Sequence, residues 1–304
     1  MATMPENSLS RCSFIALLGA PNTGKSTLLN ALVGTKLSIV THKVQTTRTR
    51  IIGVGVEGTA QLVFIDTPGI FPPRRRLDRA MVAAAWAAAG GADIRVVLID
   101  AAAGIQEDDR RILDGLSEQG WSAVLVLNKI DLVKRPRLLA LAATLNETDL
   151  FVETFMVSAL TGDGVVDLKR YFADAAPLGP WHYPADQLSD MPERLLAAEI
   201  TREKIYLRLH QELPYVITVE TESWEQRKDA SLRIDQVIYV QRSSQKGIVL
   251  GKGGATIKAI GAAARRDLED LLGRKVHLFL FVKVRAHWGD DPDRYREMGL
   301  GFVD

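Results

Sequence analysis

The 304-residue sequence predicts an α/β protein in two parts: a mixed, mostly parallel sheet with helices on both faces, then a smaller α+β domain. Three observations carry that prediction. Apolar runs suited to buried strands alternate with helix-length patterns over residues 1–176. Pro177, Gly179, Pro180, Pro184 and Pro192 then crowd residues 177–192, which reads as a linker. Beyond it, over residues 193–286, the order becomes helix, strand, strand, glycine-rich turn, helix, strand, with 287–304 as a tail.

Taken in order, the first domain offers buried-strand runs at Ser13–Leu18, Gln61–Ile65, Ile94–Ile99, Ser122–Leu127 and Phe151–Val157. Between them lie helical patterns at Lys25–Val33, Leu77–Ala89, Gln106–Glu118, Arg135–Asn146 and Gly164–Ala173. Ile51–Val56, followed by Glu57-Gly58, forms a hairpin with the next strand and supplies the one antiparallel member. The Ala80–Ala89 stretch is alanine-rich, but Met81, Val82 and Trp86 give it a helical stripe. In the second domain the helices are Glu193–His210 and Ala255–Leu272, and the strands are Tyr215–Glu222, Ser231–Arg242 and Val276–Arg285.

Composition excludes several classes. A single cysteine, Cys12, rules out an intramolecular disulfide framework and a cysteine-rich zinc site and fits a reducing, cytoplasmic setting. No apolar run approaches the ~20 residues of a membrane-spanning helix. The formal net charge of +1 argues at first against nucleic acid. By segment it does not: residues 242–285 hold ten basic residues against three acidic, a local net of +7 between two acidic flanks.

Gly19-Ala20-Pro21-Asn22-Thr23-Gly24-Lys25-Ser26, followed by Thr27, is a phosphate loop in the context that confirms one, after a strand and opening a helix. Its glycines let backbone N–H groups close on phosphates, Lys25 reaches the terminal phosphates, and Ser26 offers a hydroxyl to Mg²⁺. In the loop Gly34–Arg50, Thr47 is preferred over Thr46 as the hydroxyl that completes the metal shell when a γ-phosphate is present. Asp66-Thr67-Pro68-Gly69, with Ile70 after it, places Asp66 on Mg²⁺ and the Gly69 N–H on the γ-phosphate. Asn128-Lys129-Ile130-Asp131 reads the base: the Asp131 carboxylate accepts two N–H bonds from a guanine edge, and adenine would leave it unpaired. Ser158-Ala159-Leu160 ends the next strand, where the Ala159 N–H is expected at guanine O6. The four motifs fall at the carboxyl ends of four strands, where open α/β sheets bind ligands, so the ligand is GTP. Ile70 stands where a water-orienting glutamine would be, so unaided hydrolysis is expected to be slow. Asn22 is a candidate to hold K⁺ beside the phosphates.

In the basic window, Lys246 and Ile248 precede Gly251-Lys252-Gly253-Gly254, and Ile257 and Lys258 follow. A G-x-x-G loop between an apolar segment and a basic helix is how KH domains clamp four nucleotides of single-stranded RNA. The element order fits the type II arrangement.

One phosphate-loop GTPase domain followed by a KH domain resembles the Era family of bacterial GTPases over nearly the whole chain. Gln45-Thr-Thr-Arg48, Asp66-Thr-Pro-Gly69, Glu199-Ile-Thr-Arg-Glu-Lys204, Leu213-Pro-Tyr215 and Val282-Lys-Val284 carry the likeness. The resemblance implies a GTP-switched factor that binds 16S rRNA near its 3′ end and assists maturation of the 30S subunit. A monomer is expected. The family is also described as peripherally associated with the inner membrane, although no amphipathic anchor is legible here. The alternative is a membrane- or stress-linked signalling GTPase whose KH fold docks a protein.

Overall fold

The computed structural model describes residues 9–41, 50–209, 217–286, 292, 295 and 300–302. Thr46, Thr47 and the Gln45–Arg48 and Leu213–Tyr215 signatures lie outside the described residues. The chain divides into two compact units, the first made of residues 1–38, 44–190 and 298–304, the second of residues 39–43 and 191–297.

The first unit is built on six strands: β1 (Arg11–Gly19), β2 (Ile51–Glu57), β3 (Ala60–Asp66), β4 (Ile94–Asp100), β5 (Ala123–Asn128) and β6 (Phe151–Met156). They lie in the order β2-β3-β1-β4-β5-β6, with β2 antiparallel to β3 and the other pairs parallel. Helices α1 (Lys25–Val33) and α5 (Val165–Ala175) lie on one face; α2 (Arg76–Gly90), α3 (Glu107–Gln119) and α4 (Arg135–Asn146) lie on the other. β1, β4 and β5 are covered on both faces, which is why they read as unbroken apolar runs. Val97, Ile99, Leu125 and Leu127 share one buried cluster with Ala85, Ile112, Leu116 and Leu138 of α2–α4, and each fully buried valine, isoleucine or leucine in it contributes roughly 1.5–3 kcal/mol. The buried Cys12 thiol is pushed above its usual range by desolvation.

The proline-rich stretch does not hang between domains throughout its length. Leu178 bridges to Arg11, Ser189 bridges to Gly53, and the Val54 N–H donates to Leu188 O at 2.8 Å. The Gln61 side chain holds the backbone of His182 and Tyr183. β2 is one of the two edge strands, and Leu188 and Ser189 pair with backbone groups it would otherwise present to solvent.

The second unit contains α6 (Glu193–Arg208), β7 (Thr218–Gln226), β8 (Leu232–Val240), α7 (Ser243–Leu250), α8 (Ala255–Leu272) and β9 (Val276–Val284). Its sheet runs β7-β8-β9, antiparallel then parallel, and α6 and α8 pack on one face. The apolar segment expected before the glycine loop is a helix, α7. Its residues Ser-Ser-Gln-Lys-Gly-Ile-Val-Leu give no clear helical stripe, and only Val249 is buried. The Arg202 guanidinium, fully buried, is gripped by Glu199 one turn away, with Nε to Oε1 at 2.8 Å. That carboxylate holds the guanidinium charged despite burial.

Candidate functional site

The carboxyl ends of β1, β3, β4 and β5 and the turn after β6 converge on one edge of the first sheet. After β1 the chain turns through Gly19–Gly24 into α1, with Asn22 and Gly24 both in the left-handed region. The Thr23 hydroxyl donates to Ala20 O at 3.0 Å, and Lys25 Nζ donates to Gly19 O (2.9 Å) and Ala20 O (2.8 Å). The loop is thus held in shape by its own side chains. Burial pushes the Lys25 ammonium down to about 8, while Asp66 and Asp109 pull it back up. An ammonium desolvated at the mouth of a helix is prepared for a multiply charged anion.

Asp66, fully buried at the end of β3, accepts at Oδ2 from the Ser26 hydroxyl (2.7 Å) and the Ser38 hydroxyl (2.9 Å). One carboxylate beside serine hydroxyls is a set of hard oxygen donors, and together with nucleotide phosphates it suits Mg²⁺. The segment from Asp66 to Ile70 lies against the phosphate loop: the Ile70 N–H donates to Gly19 O at 3.2 Å, and a Cβ on Gly69 would stand 2.9 Å from Pro21 N. Only glycine allows that approach. The Thr67 hydroxyl pins the turn to Leu17 O at 2.7 Å, and Pro68 is buried with it.

Asn128, 2% exposed at the end of β5, joins the phosphate loop to the base side: Nδ2 donates to Thr23 O (2.8 Å) and Oδ1 accepts the Ala159 N–H (3.0 Å). The Ala159 N–H, expected at guanine O6, is therefore engaged by Asn128, because the carboxamide is oriented by Thr23. Lys129, in the left-handed region, sends its ammonium to Asp100 Oδ2 (2.6 Å) and Asn22 O (2.7 Å). Ile130 and Asp131 fall in a short 3-10 turn, with the Asp131 side chain exposed. Ser158 is buried with its hydroxyl accepting the Thr161 N–H, and Leu160 is 81% exposed at the rim.

Three residues in this arrangement carry no motif signal. Ser38 reaches Asp66; Asn30 holds the Leu37 and Ser38 N–H groups through Oδ1, each at 2.9 Å; Asp100 anchors Lys129. Only Asp100 had a legible cue, a carboxylate at the carboxyl end of a central strand. Arg74 and Arg75 are exposed, and their backbone N–H groups cap onto Asp78.

In the second unit, Gly251, Gly253 and Gly254 all have positive φ and join α7 to α8. A Cβ at Gly253 or Gly254 would meet nothing within 4 Å, so the loop presents open backbone at the head of an 18-residue helix. Lys252 and Lys258 are exposed, Lys246 is half-buried, Ile248 is 55% exposed and Ile257 is half-buried. Among the described residues no helix is long and apolar enough to cross a membrane.

Comparison with known proteins agrees with both halves. A family profile described as 50S ribosome-binding GTPase matches residues 14–129, and a KH-domain profile matches residues 212–289. The chain is 61% identical to a GTPase Era of a Bradyrhizobium species, over 96% of this chain and 95% of that one. It is 62% identical to that of Rhizobium meliloti, over 96% and 94%. The crystal structure of an Aquifex aeolicus Era variant bound to GDP and AlF4⁻ superposes with a TM-score of 0.90 at 36% identity, covering 95% of this chain and 99% of that one. A second Era structure, in complex with MgGDPNP and nucleotides 1506–1542 of 16S ribosomal RNA, matches with the same TM-score, identity and coverage. A phosphate loop bridged by Asn128 to the turn after β6, a glycine loop between two helices, and this similarity along nearly the full length together place the chain in the Era family of GTPases.

Proposed function

We propose that this GTPase binds single-stranded RNA at the 3′ end of 16S rRNA through its KH domain and assists maturation of the 30S subunit, with GTP as the timing signal. The observation that carries the nucleotide half is the Asn128 bridge, which fuses the phosphate and base segments into one site. The open Gly251–Gly254 loop in a locally basic window supports the RNA half, as does the relative solved with 16S rRNA.

In this reading Gly19–Thr27 cradles the phosphates and Lys25 meets the terminal ones. Ser26, Thr47 and Asp66 hold Mg²⁺, which when bound neutralises charge on the phosphate oxygens. The Gly69 N–H meets the γ-phosphate, and Asp131 reads the guanine edge. Water attacks the γ-phosphorus, the bond to the bridging oxygen breaks, and GDP and phosphate leave. The side chain after Gly69 is the buried, apolar Ile70, which cannot orient that water, so turnover is slow. Asn22, exposed at the tip of the phosphate loop, is assigned to K⁺; equal turnover in K⁺ and Na⁺ buffers for both native protein and Asn22→Ala would remove that assignment.

The test is RNA affinity measured with a GTP analogue, with GDP and without nucleotide, at two salt concentrations, for the native chain and Gly253→Asp. A carboxylate at Gly253 occupies the space a phosphate needs. The variant is expected to lose RNA binding while GTP affinity stays unchanged, and undiminished RNA affinity would sink the clamp.

A further inference from the structure

The helices of the first unit run back against its parallel strands, so the C-terminal ends of α2 and α3 lie at the sheet edge opposite the nucleotide site. There a groove of about 460 Å³ opens, walled by Trp86 of α2, Trp121 just before β5, and one stripe of α3: Arg111, Asp114, Gly115 and Glu118. Both indoles are half-buried and pack against the cluster that holds Ile112 and Leu116, and their remaining surface lines the groove. Their ring centres are 6.4 Å apart, with the planes tilted by 44°. A Cβ on Gly115 would stand 2.5 Å from the Trp86 ring, so α3 gives up about 1 kcal/mol of intrinsic helix stability to seat that indole.

The charges on this stripe run against helix physics. Asp114 and Glu118 are exposed and one turn apart, and neither has an ion-pair or hydrogen-bond partner among the described residues. Like charges at that spacing repel. Glu118 also stands in the last turn of α3, where the helix dipole favours a cation and no basic residue is present. Arg111, the cation of the same stripe, is drawn to the preceding turn by Glu107 (3.2 Å) and Asp108 (3.9 Å). The Arg95 guanidinium, outside the groove lining, lies 4.5 Å from the centre of the Trp121 ring, so this indole already accepts a guanidinium. Over its length α3 carries five carboxylates against two guanidiniums, a net of −3.

Indole surface beside two unpartnered carboxylates suits a cation with a flat, weakly hydrated body. A guanidinium is that cation: it stacks on an indole and forks onto a carboxylate, whereas an ammonium is a compact, strongly hydrated point charge. The phosphates of a nucleic acid would meet Asp114 and Glu118 as like charges. An uncharged apolar segment would cover those carboxylates without pairing them.

We infer that this groove docks a protein partner through an arginine-bearing basic segment, whose guanidinium stacks on Trp86 or Trp121 and pairs with Asp114 and Glu118. The surface stands apart from both the nucleotide site and the glycine loop, and the inference does not depend on the RNA-binding reading.

The test compares the full-length native protein with the Asp114→Asn/Glu118→Gln double variant by fluorescence anisotropy. The probe is a labelled decapeptide of alternating arginine and glycine, beside two controls in which lysine or uncharged citrulline replaces arginine. The variant should bind the arginine peptide roughly 5- to 30-fold more weakly, with GTP turnover unchanged and Tm no lower, since the substitutions relieve a repulsion. The lysine peptide should bind the native protein more weakly than the arginine peptide, and the citrulline peptide should not bind. In ¹⁵N spectra of the native protein the arginine peptide should move the indole N–H signals of Trp86 and Trp121 and leave those of the other tryptophans in place. Equal affinity of native and variant proteins for the arginine peptide overturns the inference, as does a native protein that does not bind it. Binding with both indole signals unmoved does the same, because the attraction is then unspecific. Equal affinity for the citrulline peptide means an uncharged occupant, and indole signals that move with protein concentration alone mean a second copy of this chain. Either result overturns the arginine-bearing partner.

Discussion

Asn128→Ala is the sharpest single perturbation of the nucleotide site. The native carboxamide is buried and makes two hydrogen bonds across large sequence separations, to Thr23 O at 2.8 Å and from the Ala159 N–H at 3.0 Å. Thr23 and Ala159 are themselves buried, so water cannot readily replace the lost partner. Each orphaned backbone group costs about 1–3 kcal/mol, and the pair together about 3 kcal/mol. For a unit of this size that lowers Tm by roughly 6–12 °C. Differential scanning calorimetry of the nucleotide-free protein should show the loss in the transition of the first unit and leave the second unit's in place. GTP affinity should fall as well, because the phosphate loop and the Ser158–Leu160 turn are no longer held together. Asn128→Asp keeps an acceptor for Ala159 but sets a carboxylate against Thr23 O, so it should be no milder. A Tm within 1 °C of native, or unchanged GTP affinity, would refute the bridging role.

Two further outcomes follow from buried charge. The Lys25 ammonium titrates near 8 in the folded, nucleotide-free protein against 10.5 when unfolded, so between those values the unfolded chain binds more protons and stability rises with pH. Below 8 both states are charged and the penalty is constant. Lys25→Met should remove this slope: the stability difference between native and variant proteins, from urea unfolding, should shift by about 2 kcal/mol in the native protein's favour from pH 7.5 to 9.5, while the variant loses GTP binding. Glu199→Gln strips the partner from buried Arg202 and should destabilise the second unit by about 3–5 kcal/mol, visible as a lower calorimetric transition with GTP turnover intact. An unmoved transition would mean the pair is structurally idle.

Legibility in the sequence followed how local each feature is. α1 and α8 match their predicted spans because glycines in the left-handed region bracket them, Gly24 and Gly34 for one, Gly254 and Gly273 for the other. α7 escaped notice because eight residues with one buried side chain carry no period. The stretch from Pro177 reads as a linker by composition. Its backbone nevertheless pairs with Arg11, Gly53 and Val54, a choice made by the exposed edge of β2 and by the start of β1 that β4 does not reach, and not by the prolines. Ser38 and Asn30 had no cue at all, since their roles exist only once α1 brings Asn30 beside the Leu37–Ser38 backbone and β3 brings Asp66 to the Ser38 hydroxyl.

The sequence by itself determined the phosphate loop, the two-part organisation and the Gly251–Gly254 loop, because the loops are written in contiguous residues whose backbone conformation is set locally and the division in a run of prolines. Only the tertiary structure decided how those pieces act together. It ordered the strands, bonded Asn128 to both Thr23 and Ala159, and set Lys129 on Asp100. It also left Phe279 and Phe281 on the open face of the second sheet. Those outcomes depend on register and packing between elements far apart in the chain, where a shift of one residue in a strand exchanges the buried face for the exposed one.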